Sequence, residues 1–355
     1  MKKYKLGDIC EIVSGSTPKT GVEEYWGGNL KWLTPAELNE DSYIITDSER
    51  KITKLAAEKT GLSSFPQGTV ILSSRAPIGK VAIAGCKMYC NQGFKNLICS
   101  EEVYNKYLYW FLKGKKEYLN SLGRGATFKE ISKSIVSEIE IALPSINEQK
   151  KVVEKFEKIS KIIQLRRQEL EKLDDLIKAR FVEMFGTPYR NEKGFPMMTV
   201  DDIVEFIGGA QPDKKYFEYE ATEDNIRLIQ IRDYKTDNYV TYIPKSMAKR
   251  FCDVDDIMIG RYGPPIFQIL KGIKGSYNVA LMKAIPKAGN KEFIRYFLKQ
   301  DCLFQYLDGL SQRTAGQSGI EMSALKTYPF PYPPIELQEE FEKFAKQVDK
   351  SKVAE

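Results

Sequence analysis

The segment LPSINEQKKVVEKF (Leu143 to Phe156) is written again, in looser form, as YPPIELQEEFEKF (Tyr332 to Phe344). A chain that repeats one proline-to-helix transition at such a distance is constrained to fold as two similar units, each handing over to a helix. A shift of 189 residues places Arg124 on Arg313, Ile131 on Ile320, Pro144 on Pro333, Ile146 on Ile335, Gln149 on Gln338 and Val152 on Phe341 without a gap. Upstream the echo continues at shifting offsets. LGDICEIVSGSTPK (Leu6 to Lys19) answers VDDIVEFIGGAQPDK (Val200 to Lys214), GTVILSSRAPIG answers DDIMIGRYGPPI, and YLYWFLK (Tyr107 to Lys113) answers FIRYFLK (Phe293 to Lys299).

The β-branched density and turn flanks of TVILSS, KVAIAG and DIMIGRY predict short strands. Each unit therefore reads as a mixed α/β domain of strands, Gly and Pro turns, one aromatic-rich helix and a proline-marked exit. From Asn147 to about Phe185 there is neither proline nor glycine, until Gly186 and Pro188 end the run. At 1.5 Å per residue this predicts a helix of roughly 55 to 60 Å. Val152, Ile159, Ile163, Leu170, Leu173, Ile177 and Met184 follow alternating three- and four-residue steps, an apolar seam. Leu337, Phe341, Phe344 and Val348 repeat the spacing near the end, so an antiparallel coiled-coil pairing within the chain is expected. Stretches of this kind also occur as plain amphipathic core helices.

Composition removes several function classes. A length of 355 residues suits two domains, and 42% hydrophobic with 29% charged residues marks a globular chain. No apolar run is long enough to span a bilayer and MKKYKLGDIC carries no signal-peptide core, so a cytoplasmic chain is expected. Six scattered cysteines read as reduced thiols rather than disulfides or a zinc site. The absence of histidine takes away the commonest general base and metal ligand, and a net charge of +6 permits nucleic-acid binding without requiring it.

Two α/β units that open with phrases like KLGDICEIVSGSTPK, each leaving through P-x-I-x-x-Q into a long helix, resemble the specificity (S) subunit of type I restriction-modification systems. The resemblance covers nearly the whole chain. It implies a first target recognition domain over 1–145, a central spacer helix over 146–186, a second recognition domain over 187–334 and a distal helix over 335–355. Each recognition domain would read one half of a bipartite, asymmetric site in double-stranded DNA, and the helices would dock methyltransferase (M) subunits, two of them in the expected assembly. A restriction (R) subunit would join the full complex. The chain itself would be non-catalytic and bind no cofactor or metal: S-adenosylmethionine belongs to M, ATP and magnesium to R. The distal helix is about half the length of the central one, where the family has them nearly equal, so the chain reads as either a short variant or a truncated one.

Base reading calls for Arg, Lys, Asn and Gln on loops, with basic neighbours for phosphates. In the first unit the candidates are Lys19, Ser73, Ser74, Arg75, Lys80, Asn91, Gln92 and Lys95. The second offers Lys214, Lys215, Gln230, Arg232, Arg261, Tyr262 and Asn278, and the paired Gly-rich loops add Arg124, Thr127, Arg313 and Gln317. Arg75 and Arg261 stand out, both following a strand at matching places before a turn.

Two other readings stay open. Pro212, Asp213, Asp233 and Lys235 fit the loose pattern of a magnesium-dependent nuclease, although the first unit has Lys19 where Asp213 stands. An assembly scaffold would use the helices for protein partners and bind no DNA.

Overall fold

The computed structural model describes residues 2–75, 77–125, 129–263, 265–311 and 319–353. The chain divides into two compact units, Met1–Leu165 and Arg166–Glu355, and the boundary falls inside the long helix.

In the first unit, strands β6 (Val70–Ser73) and β7 (Val81–Ala84) are buried along their whole length. Their unbroken apolar runs suit strands covered on both faces. They lie inside a five-stranded sheet of order β2 (Cys10–Ser14), β9 (Phe94–Cys99), β6, β7, β4 (Ile44–Ile45). A smaller sheet has the order β5 (Arg50–Ile52), β3 (Trp26–Leu33), β8 (Tyr89–Cys90), with β3 and β8 parallel. Strand β1 (Lys2–Lys5) pairs with β10 (Glu140–Leu143) and closes the unit just ahead of the long helix. Short helices α1 (Leu6–Ile9), α2 (Lys54–Lys59), α4 (Lys116–Ser121) and α5 (Lys133–Ser137) complete the unit, and the aromatic helix α3 (Asn105–Lys113) packs on β6 and β7 and buries Leu108, Tyr109 and Leu112.

The second unit repeats this plan. Its main sheet, β12 (Val204–Gly208), β19 (Leu281–Pro286), β16 (Ile257–Gly260), β17 (Gln268–Lys271), has the order of β2, β9, β6, β7. The smaller one, β14 (Tyr242–Pro244), β13 (Asn225–Ile229), β18 (Gly275–Tyr277), β15 (Phe251–Cys252), again has a parallel pair, β13 with β18. Strand β11 (Met197–Thr199) pairs with β20 (Pro329–Pro331) as β1 does with β10. The helices are α7 (Val200–Ile203), α8 (Lys291–Leu298), α9 (Asp301–Ser311) and α10 (Met322–Thr327).

The long helices are α6 (Ile146–Phe185) and α11 (Ile335–Val353). Ser145 and Glu148 form a reciprocal cap at the start of α6, and the Ser145 hydroxyl and N–H hold the Glu148 carboxyl below its ordinary range. Gly186 ends the helix in the left-handed conformation, φ 73°.

The shared P-x-I-x-x-Q phrase has one physical cause in both units. The Gln149 side chain is buried; its oxygen accepts from the Tyr104 N–H (2.8 Å) and its nitrogen donates to the Glu102 and Pro144 carbonyls (2.9 and 3.0 Å). Gln338 does the same with the Asn290 N–H (2.8 Å) and the Pro333 carbonyl (2.7 Å). Tyr104 and Asn290 are the residues that begin α3 and α8, so each glutamine bolts the start of a long helix to the start of its unit's aromatic helix. Gln149→Ala should destabilise the first unit by about 1–3 kcal/mol, because buried backbone groups lose their partners. The three tryptophans, Trp26, Trp32 and Trp110, all lie in that unit, so tryptophan fluorescence in urea reads it selectively. Gln338→Ala should leave that transition in place.

Within the second unit α11 runs antiparallel to the latter half of α6. Phe341 packs on Phe181 and Phe185 (centroids 5.2 and 5.7 Å), and Arg180 pairs with Glu340 (3.1 Å). Toward the other end Lys352 pairs with Asp174 (2.6 Å), and the Arg166 guanidinium donates to the Lys352 carbonyl (3.1 Å). The seam differs from its sequence expectation. Ile177, Phe341 and Val348 are buried, while Val152, Leu170, Leu173, Met184, Leu337 and Phe344 are half-buried. Ile159 and Ile163 are not buried at all: they are 52% and 49% exposed, in a stretch with Phe156, Ile162 and Leu165. Among the described residues the contacts given between α11 and α6 begin at Arg166, beyond those two isoleucines. Val153, Phe181, Phe185 and Ala345 supply buried contacts instead.

Candidate nucleic-acid interface

Backbone pairing gathers the loops of the first unit at one end of the strands of its main sheet. The chain leaving β2 meets the chain leaving β8, where the Ser16 N–H donates to the Cys90 carbonyl (3.0 Å) and the Thr17 hydroxyl to the Gln92 side chain. Gly15 permits this approach: a Cβ there would lie 2.0 Å from the Asn91 carbonyl oxygen. The turn after β6 joins the same group, since the Ser74 N–H donates to the Gly93 carbonyl (2.7 Å) and the Ile131 N–H to the Ser74 carbonyl (2.9 Å).

The second unit brings matching loops together by matching bonds. The Ala210 N–H donates to the Tyr277 carbonyl, and the Arg261 N–H to the Ala280 carbonyl. Gly209 stands where Gly15 does; its Cβ would lie 2.0 Å from the Asn278 carbonyl oxygen. Strand register fixes the correspondence between the units. Ser73 N–H bonds Lys80 as Gly260 pairs with Gln268, and Arg75 bridges Glu130 as Tyr262 bridges Gly319. Tyr262 is therefore the counterpart of Arg75, and Arg261 the counterpart of Ser74. The expected equivalence of Arg75 and Arg261 is off by one residue.

The polar candidates separate into those facing out and those facing in. Lys19, Gln92, Arg124, Lys214, Lys215 and Arg232 are exposed, and Arg75, Asn91, Gln230, Arg261 and Tyr262 are half-exposed. Arg232 donates to the Thr241 hydroxyl (3.0 Å), as does Gln230 (3.1 Å), and its guanidinium lies 5.9 Å from the Tyr239 ring. Arg261 lies 5.2 Å from the Tyr262 ring, and Lys215 5.0 Å from that of Tyr216. Such cation and aromatic pairs keep a charge oriented while leaving it solvated.

Four candidates face inward, contrary to expectation. Ser73 is buried, donating to the Pro77 carbonyl (2.7 Å) and accepting from the Lys80 N–H (2.8 Å) to close the turn. Ser74 and Lys95 are buried against one another (3.3 Å), and Asn278 is buried with its oxygen accepting from the Ala280 N–H (3.1 Å). Lys80 is also committed internally, to the Pro35 (3.0 Å) and Leu38 carbonyls. Thr127, Arg313 and Gln317 lie outside the described residues. Sequence reasoning missed Glu130, Thr17, Thr241 and Tyr239, none of which carries a base-reading signature.

The acidic residues of the nuclease pattern have structural roles. Asp233 is buried, accepts from the Gln230 N–H (3.2 Å), and lies near Arg227 (3.8 Å) and Arg232 (3.9 Å). Burial pushes its carboxyl up from the ordinary range against the pull of that bond and of both arginines. Asp213 caps a single 3₁₀ turn through the Lys215 N–H (3.1 Å). Among the described residues no three His, Cys, Asp or Glu side chains stand close enough to hold a metal ion, and no helix is long and apolar enough to cross a membrane.

Comparison with known proteins agrees with this two-unit plan. The chain is 37% identical over 236 residues to the type I restriction enzyme MjaIX specificity subunit of Methanocaldococcus jannaschii, covering 60% of this chain and 54% of that protein. The chain thus spans about half the length of the curated relatives it matches. Among solved structures, the S subunit of a type I restriction-modification system from M. genitalium superposes with a TM-score of 0.52 at 15% identity, covering 99% of this chain and 90% of that one. A chain from work on complex assembly and conformational transition of the type I R-M system superposes with a TM-score of 0.56 at 16% identity and the same coverage. The family model for the type I restriction modification DNA specificity domain matches twice, over residues 1–175 and 192–354. Each match takes in one α/β unit together with helix, so the chain belongs to the type I restriction-modification DNA specificity family.

Proposed function

We propose that this chain reads DNA sequence for a type I restriction-modification complex. Each α/β unit recognises one half of a bipartite, asymmetric duplex site, and the long helices dock the methyltransferase subunits, two per complex. The chain contributes no catalytic group: S-adenosylmethionine is bound by the methyltransferase subunits, and ATP and magnesium by a restriction subunit when one joins. The complex works in the cytoplasm, on the cell's own DNA.

One observation carries this reading. The same loop cluster occurs twice on the same framework, held by equivalent backbone bonds, while its outward side chains differ: Arg75 and Gln92 in one copy, Tyr262 and Arg232 in the other. A repeated frame whose outward polar side chains differ suits two readers of different sequence, because sequence is read by the side chains that reach base edges. The test is sequencing of modified adenines in cells that express the chain with its methyltransferase partner. The expected result is one bipartite motif with a fixed gap. Methylation without sequence preference, or a motif unchanged when the chain is omitted, would overturn it.

A further inference from the structure

Glu130 stands where three pieces of the first unit's loop cluster meet. Its backbone pairs in both directions with Arg124 (3.0 and 2.9 Å), at the root of the Gly-rich segment. One carboxylate oxygen lies 3.2 Å from the Lys95 ammonium on β9, and the other 3.9 Å from the Arg75 guanidinium on the turn after β6. Lys95 is 6% exposed and also bonds the Ser74 hydroxyl, so its charge is buried and Glu130 is the acid that neutralises it. A buried cation without its counter-charge is strongly disfavoured, which makes this joint costly to open. Arg75 shares the same carboxylate at longer range and remains a third exposed. It is oriented without being consumed, and can leave Glu130 for a base or phosphate.

The second unit lacks the device. Register places Met282 at the position of Lys95, Gly319 at that of Glu130 and Tyr262 at that of Arg75. Whatever the joint does is therefore confined to one unit.

We infer that Glu130 is a positioning residue for sequence reading by the first unit: through Lys95 it braces the backbone pairing of Arg124 with Glu130 against the sheet, and through Arg75 it sets the resting direction of a reading arginine. The inference rests on the proposed function and assigns one half-site's stringency to one ion-paired joint. The experiment is modified-adenine sequencing in cells carrying the methyltransferase partner and, in turn, the wild-type chain, Glu130→Gln, Glu130→Asp and the double variant Lys95→Met with Glu130→Gln. Glu130→Gln should lower base discrimination about tenfold or more at one or more positions of a single half-site, leaving the other half-site and the gap unchanged. Arg75→Ala should affect that same half and Arg232→Ala the other. Glu130→Asp, which keeps the charge, should restore most of the discrimination. The double variant removes the buried charge together with its partner, so it should fold and still show the broadened half-site. Unchanged discrimination in it, or equal loss at both half-sites, overturns the inference. Absence of any bipartite motif with the wild-type chain instead overturns the reading beneath it.

Discussion

Phe341→Ala is expected to destabilise the second unit by about 3–5 kcal/mol, the usual cost of deleting a fully buried ring. Phe341 has no exposed surface and touches Phe181, Phe185 and Tyr296, the last with centroids 5.3 Å apart. Phe181 and Phe185 in turn pack on Phe293 of α8. Deleting the central ring removes the wedge that joins three helices, and none of the surrounding aromatics can collapse into the space without leaving its own stack. Two units need not unfold together, so the measurement must separate them. Tryptophan fluorescence follows the first unit alone, whereas far-ultraviolet circular dichroism follows both. The dichroism midpoint in urea should split, with one component moving down and the fluorescence midpoint holding. A fluorescence shift equal to the dichroism shift, or a dichroism change worth less than about 1 kcal/mol, would refute the assignment.

The second large effect follows from the proposed reading of two half-sites and concerns the gap between them. Four helix-favouring residues inserted between Lys161 and Ile162 lengthen α6 by about 6 Å, close to one helical turn. Lys161 and Ile162 are both exposed, and the capping and glutamine contacts at Ser145 to Gln149 lie well upstream, so the packing of each unit is untouched. Duplex DNA rises about 3.4 Å per base pair. Modification at the original site should fall at least a hundredfold, and a new motif should appear with the same half-sites and a gap longer by about one or two base pairs. Altered half-sites around an unchanged gap would show that the helix does not set the spacing.

Much of this architecture was legible before the structure, for a definable reason. Wholly buried strands carry apolar runs such as Val70–Leu72 and Val81–Ala84, and a helix without proline or glycine between Ser145 and Gly186 has nowhere to stop. What local pattern cannot convey is which neighbour a side chain finds. Ile159 and Ile163 have the spacing of a seam, yet burial depends on how far α11 reaches along α6. Phe181 lies on the same seam, four residues after Ile177 and three before Met184, and Phe185 follows one residue beyond it. Ser73, Ser74, Lys95 and Asn278 lie in loops or strand ends of the expected polarity, but Ser73 and Asn278 turn to backbone groups of their own turns and Ser74 and Lys95 to one another. The slip between Arg75 and Arg261 has a similar cause. The two turns differ by one residue in length, and an arginine in each invites alignment; only strand register shows that Tyr262 occupies the place of Arg75.

The glutamine joint has a corollary for tolerance of sequence change. Gln149 and Gln338 satisfy their amides on main-chain groups, those of Glu102, Tyr104 and Pro144 in one case and Asn290 and Pro333 in the other. Main-chain groups are present whatever the side chains are. The two units accept the same joint although the residues at those main-chain positions differ, Tyr104 in one and Asn290 in the other. The joint thus tolerates side-chain change on the α/β side of the contact, because what the glutamine holds there is peptide group rather than side chain.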